Sequence, residues 1–150
     1  MEDLNYMPEV EFIKVHPDAI LPSKAPDHDS DTAYDLYCVE DTLIPARGSA
    51  VVPIGIKVGF IPEGYWFRVE AKSGLSFKHG LIPHPGVIDN GYRGDMGTKI
   101  YNLSDENYRF NKGDKVAQIA FYYNLIMKLK WGTEAKASVR GEGGFGSTGR

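Results

Sequence analysis

Apolar and polar residues alternate along this chain in short stretches, a pattern that predicts strands rather than helices. Residues 10–15 (VEFIKV) predict a first strand, with Val10, Phe12 and Ile13 as its apolar positions. Residues 33–37 (AYDLY) predict another, with an acid, Asp35, inside it. Residues 49–60 read as a β segment broken by Pro53 and Gly55. In 65–70 (YWFRVE), Phe67 and Val69 face a core while Arg68 and Glu70 face the other side. Residues 98–102 and 115–123 (KVAQIAFYY) predict further strands, the second entered through a turn at Gly113-Asp114. Met127, Leu129 and Trp131 alternate with Lys128 and Lys130, which predicts one more, half-buried strand. The single plausible helix is 72–80, with Ser73 as its N-cap and Gly80 as its stop. Asn90-Gly91, led by Val87 and Ile88 and left by Tyr92, predicts a type I′ hairpin turn, whose central residues both need positive φ.

Composition narrows this picture. The 150 residues make one domain by length, large enough for a real core. Their 17 Gly and 9 Pro favour many short strands. A formal charge of −3 offers no global attraction to nucleic acid or to an anionic membrane, so any polyanion must be held by a local cluster. The single cysteine, Cys38, forbids an internal disulfide and suits a reducing compartment; set in an apolar run, it reads as a small core residue. The acidic start of the chain carries no long apolar stretch, so neither a signal peptide nor a membrane span is expected. The expected location is the cytoplasm, or the nucleus or host-cell interior for a eukaryotic or viral source, and not the secretory route.

Candidate chemistry gathers at a few places. The turn at residues 86–94 presents backbone N–H and C=O groups suited to a small flat ligand, and it holds Asp89 beside the Tyr92 ring. Acids are disfavoured in strands, so Asp35 either points to solvent or has a task. Gln118, a polar group in an apolar run, is either a satisfied core amide or aimed at a ligand. Lys72 and Ser73 at a helix start suit an anion, with plain capping as the alternative. Four acids in reach, Asp27, Asp29, Asp31 and Asp35, suggest a Ca2+ loop, but the ligand spacing, glycine and closing Glu of an EF-hand are absent, and the run reads as a solvated loop. Residues 132–139 are small and polar, a linker. Residues 140–150 hold one large apolar residue, Phe145, among five glycines, with Arg140 and Arg150 and the donors Ser147 and Thr148. Such a tail cannot pack a core; it reads as a flexible arm that closes on a ligand, with a disordered terminus as the alternative, and it resembles a phosphate-binding loop in kind without being the nucleotide P-loop pattern.

Taken in order, AYDLY, KSGLSFKHG, GVIDNGYRGD, KGDKVAQIAF and RGEGGFGSTG resemble the five motifs of the homotrimeric dUTPases, at family spacing, between residues 33 and 149. The resemblance implies an all-β fold, a distorted jelly-roll-like β-barrel with one short helix. Residues 1–139 would form that domain, and 140–150 a flexible Gly-rich arm closing over a neighbouring subunit's site. It implies hydrolysis of dUTP to dUMP and pyrophosphate with Mg2+, which keeps uracil out of DNA and supplies dUMP for thymidylate synthesis. Three chains would share three sites. Asp89 would activate the water that attacks the α-phosphorus. Gly86, Val87 and Ile88 would read the uracil edge through their backbone, and Tyr92 would lie against the deoxyribose. Lys72, Ser73, Gly74, Gln118, Arg140, Gly146, Ser147 and Thr148 would surround the phosphates, with Phe145 over the base. Mg2+ would sit on phosphate oxygens and waters, reached by Asp35 only through water, with no direct protein ligand. No membrane and no direct nucleic-acid partner is expected.

Three features depart from the family pattern. Lys72 stands where the family usually has Arg, and a point charge replaces a bidentate fork. Ala33 stands where it has Gly, and the acidic run is unusual. Two other functions compete: a dCTP deaminase of the same superfamily, against which the 86–94 turn and the arm argue, and a dUTP-responsive regulator that signals to a protein partner.

Overall fold

The computed structural model describes residues 6–146, 148 and 149. Its strands are β1 (Glu11–Lys14), β2 (Tyr34–Tyr37), β3 (Thr42–Ile44), β4 (Ser49–Val52), β5 (Ile56–Phe60), β6 (Tyr65–Glu70), β7 (Leu81–Pro83), β8 (Gly86–Ile88), β9 (Thr98–Asn102), β10 (Tyr108–Phe110) and β11 (Lys115–Tyr123), with the helix α1 (Ser73–His79) between β6 and β7. β11 is the longest because its run of β-branched and aromatic residues contains no turn former. It lies inside a four-stranded sheet of order β2-β11-β6-β8, and a three-stranded sheet runs β4-β9-β7. Two-stranded ladders β1-β5 and β3-β10 complete the wall. Every ladder is antiparallel. The fold is therefore all-β and jelly-roll-like, with a wall of four separate sheets rather than a barrel closed by hydrogen bonds.

All four sheets face one core. Leu36, Ile44, Phe67, Ile100 and Phe110 are fully shielded and come from β2, β3, β6, β9 and β10. Each such side chain is worth about 1.5–3 kcal/mol of burial. The predicted alternation in β6 holds, with Phe67 and Val69 inward. Phe67 meets Phe121 of β11 at 5.3 Å and Phe12 of β1 at 6.3 Å between ring centroids, which ties β1 onto the large sheet. Cys38 is a core residue as its setting suggested: its thiol donates to Asn111 O, and burial pushes its pKa up.

Three local expectations are corrected. The N-cap of α1 is Lys72, not Ser73, and it makes no side-chain cap. The Gln118 amide donates to Ala71 O at 2.8 Å and pins the chain there, so the backbone turns into the helix at Lys72. Gly80 does end the helix, at φ 66°. The Asn90-Gly91 turn exists, closed by the Tyr92 N–H to Asp89 O at 2.9 Å, but neither central residue has positive φ and no strand follows directly, so it is not a type I′ hairpin. Asn90 spends its amide donating to Pro62 O and Tyr65 O, both at 2.9 Å, and this bolts the turn to the β5–β6 connection and the start of β6 while β8 pairs with β6. Residues 127–131 form no strand and are exposed. Their alternation supplies a face but no ladder partner, and a strand needs both.

Candidate active site

The elements around β11 build one side of the site. Gln118 sits opposite Asp35 of β2 and opposite Glu70 of β6. One extra residue in β11, Val116, shifts the register between Lys115 and Ala117. This bulge matters for direction: side chains three apart on a regular strand face opposite ways, and one inserted residue returns Lys115 to the side of Gln118. Asp35 is 7% exposed, so it does not point to solvent. Its two carboxylate oxygens each meet a lysine, Lys72 Nζ at 2.5 Å and Lys115 Nζ at 3.2 Å. Lys72, Lys115, Asp35 and Gln118 line a cavity of about 580 Å³.

The acidic run forms the facing wall of that cavity, through His28 and Asp31. It folds as successive turns, with the His28 N–H on Ala25 O at 3.1 Å and the Asp31 N–H on His28 O at 3.0 Å. His28 Nδ1 lies 3.0 Å from Asp31 Oδ2, and Lys24, also on this wall, donates to Asp29 O at 3.1 Å. Among the described residues no group of three or more His, Cys, Asp or Glu side chains could hold a metal ion.

The β8 turn builds the other side. Gly86, Ile88 and Tyr92 line a smaller cavity of about 180 Å³ with Met96, Gly97 and Thr98. The Tyr92 hydroxyl donates to Asp95 O at 2.8 Å, and the ring lies so close to Gly94 that a Cβ there would meet the hydroxyl at 2.5 Å. Strand alternation sends Val87 and Asp89 the opposite way. They open on a third cavity of about 680 Å³ with Glu63, Tyr65, Trp66 and Tyr123. Gly64, also on that cavity, is required: at φ 87°, a Cβ would sit 2.7 Å from the Tyr123 ring.

Within one chain, then, Lys72 and Gln118 come together with Asp35, and Gly86 and Ile88 come together with Tyr92. Asp89 shares no lining residue with the Lys72 cavity. Ser73 and Gly74 are exposed on the first turn of α1. Arg140, Phe145, Gly146 and Thr148 are exposed, and Arg140 Nε donates within its own segment to Gly143 O. Ser147 lies outside the described residues. Lys115 and Lys24 line the cationic cavity without having been singled out from the sequence. For Lys115 the cause is the bulge, which no periodicity reveals.

The all-β chain thus holds paired ammoniums in one cavity, and an aromatic ring with strand backbone in another. Residues 19–149 match the family model described as dUTPase, and the chain belongs to the dUTPase family. It is 38% identical to a deoxyuridine 5'-triphosphate nucleotidohydrolase of Oryza sativa subsp. japonica, over 95% of this chain and 81% of that one. It is 35% identical to the Wolinella succinogenes protein of the same name, over 100% of this chain and 99% of that one. Among solved structures it resembles the Staphylococcus bacteriophage 80alpha dUTPase with dUPNHPP, at a TM-score of 0.84 and 28% identity, covering 95% of this chain and 99% of that one. A mutant dUTPase from phage phi11 of S. aureus, described as coordinating a structural Mg(II) ion, has a TM-score of 0.75 and 26% identity, covering 84% of this chain and 97% of that one.

Proposed function

We propose that this protein hydrolyses dUTP to dUMP and pyrophosphate, in a site shared between three copies of the chain. The observation that carries the reading is the family match across residues 19–149, which spans the cationic wall, the Asp89 turn and the C-terminal segment. The separation of Asp89 from the Lys72 cavity within one chain supports the shared site, since neighbouring copies must then complete it. Residues 1–139 serve as the domain and residues 140–150 as the arm that crosses to a neighbour.

In this reading the Asp89 carboxylate accepts a proton from a water. The water oxygen bonds to the α-phosphorus, the bond to the α–β bridging oxygen breaks, and pyrophosphate leaves with its electron pair. Positioning and charge stabilisation supply most of the barrier reduction in phosphoryl transfer, so one carboxylate suffices. The backbone of Gly86, Val87 and Ile88 reads the uracil edge. Cytosine reverses a donor and an acceptor there and leaves groups unpaired. Tyr92 packs against the sugar and excludes a 2′-hydroxyl. Lys72, Ser73, Gly74 and Gln118 hold phosphates from one chain. Arg140, Gly146, Ser147 and Thr148 do so from the arm, with Phe145 over the base.

The donors present fit a Mg2+ carried on phosphate oxygens and waters, as that ion prefers, because the Asp35 oxygens already lie against two ammoniums. Bound there, it neutralises phosphate charge. Asp35 would reach such an ion only through water.

Hydrolysis in 18O-labelled water tests the point of attack. The label is expected in dUMP; label in pyrophosphate means attack at the β-phosphorus and contradicts the role given to Asp89. A second expectation concerns Lys72. Lys72→Ala is expected to weaken binding of a non-hydrolysable dUTP analogue by about 1.5–3 kcal/mol, the range for a charged hydrogen bond. Lys72→Arg keeps the charge and adds a fork, and should match or exceed the parent in activity. A neutral alanine removes Lys72 from the phosphates.

A further inference from the structure

We propose that Lys115 is a further anion-binding residue, and that Asp35 is the positioning residue that holds Lys72 and Lys115 as a pair toward the phosphates. The inference rests on the reading of their cavity as the phosphate side of a dUTP site. Three observations carry it. First, the bulge at Val116 exists in an otherwise regular nine-residue strand, and its effect is to turn Lys115 toward the cavity. Bulges cost ladder hydrogen bonds and recur where a side chain must be re-aimed. Second, Asp35 is nearly buried, and one cation is enough to neutralise a buried carboxylate. It has two, one on each oxygen. The group as a whole therefore keeps a single positive charge, which a purely structural pair would not. Third, each ammonium has three donors; Lys72 spends one on Asp35 and Lys115 lies beside it as an ion pair, so both keep donors free to face the cavity. The Lys115 side chain is 43% exposed and the Lys72 side chain 25%, so both heads are reachable from it. On the other wall the Asp31 carboxylate lies 3.0 Å from His28 Nδ1, and the Lys24 charge offsets its own, so the single positive charge stands. Asp35 holds one head on each of its carboxylate oxygens, which sets two cations beside one another for an anion with several charged oxygens.

The test is calorimetric titration of inorganic pyrophosphate, at fixed Mg2+, into the full chain. Deoxyuridine, which has no phosphate, is titrated in parallel. Lys115→Met is expected to weaken pyrophosphate roughly five- to twentyfold, at or just below the low end of the charged-hydrogen-bond range because the head is partly screened. Deoxyuridine binding should not change, and Lys115→Arg should restore most of the loss. Lys115→Gln, which retains a donor for Asp35, is the substitute if the methionine variant does not fold. In an Asp35→Asn background the same Lys115 change should cost at least threefold less, because an unheld ammonium contributes less. Pyrophosphate affinity within twofold of the parent in Lys115→Met, or no pyrophosphate binding by the parent, overturns the role of Lys115. Independent effects of the two substitutions overturn the role of Asp35. The probe carries no base, so failures separate. Turnover of dUTP with an unchanged KM in Lys115→Met overturns this inference and leaves the proposed activity standing. The expected pyrophosphate pattern in a protein that does not hydrolyse dUTP does the reverse.

Discussion

Asp89→Asn is expected to cut turnover of dUTP by roughly 10²–10⁴-fold, the usual contribution of a positioned general base, while dUTP affinity stays within about a factor of ten. The substitution preserves shape and removes only the charge and the basic oxygen. It also spares the local structure. The turn is closed by the Asp89 carbonyl accepting the Tyr92 N–H, and by Asn90 reaching Pro62 O and Tyr65 O, none of which involves the Asp89 carboxylate. The loss should therefore fall on kcat, because the carboxylate acts mainly as the water attacks. Equal losses of affinity and rate would make Asp89 a binding or structural group.

A chain ending at Val139 is expected to lose most of its activity, since nothing then closes over the nucleotide, yet to keep its fold. The described part of 140–149 is exposed and packs on no core residue. The more demanding outcome comes from mixing. Co-refolding this shortened chain with Asp89→Asn joins two inactive parents, one with Asp89 and no arm, the other with an arm and no Asp89. If Asp89 and the arm enter each site from different chains, roughly a quarter of the sites in an equal random mixture are whole, because heterologous ring interfaces make the contributions independent. A mixture as inactive as its parents, with mixed trimers demonstrated, means that both groups come from one chain.

Much of the fold can be read from alternation, and the reasons for the failures are physical. β6 and β11 are legible because they are long, half-buried and free of turn formers. β3, β7 and β10 span three residues each, too few for a period to show. Residues 127–131 alternate as well as any strand in the chain, yet no strand among the described residues pairs with them. Asn90-Gly91 has the composition of a type I′ turn, but two backbone carbonyls, Pro62 O before β6 and Tyr65 O at its start, claim the Asn90 amide.

The site was legible as motifs and illegible as geometry. Lys72, Asp35 and Gln118 could be named from their segments, and the structure brings them to one cavity. That Lys115 joins them depends on a single inserted residue in β11. The acidic run, without explanation in the sequence, becomes the outer wall of that cavity once its turns are seen.

The measurement that bears most directly on the account is pyrophosphate release from dUTP, dTTP, dCTP and UTP at equal concentrations with Mg2+. dUTP should be turned over and the other three very little: dTTP excluded by its methyl group against the β8 turn, dCTP by its reversed base edge, UTP by its 2′-hydroxyl against Tyr92. Appreciable turnover of dCTP, or orthophosphate as the first product from dUTP, would contradict it.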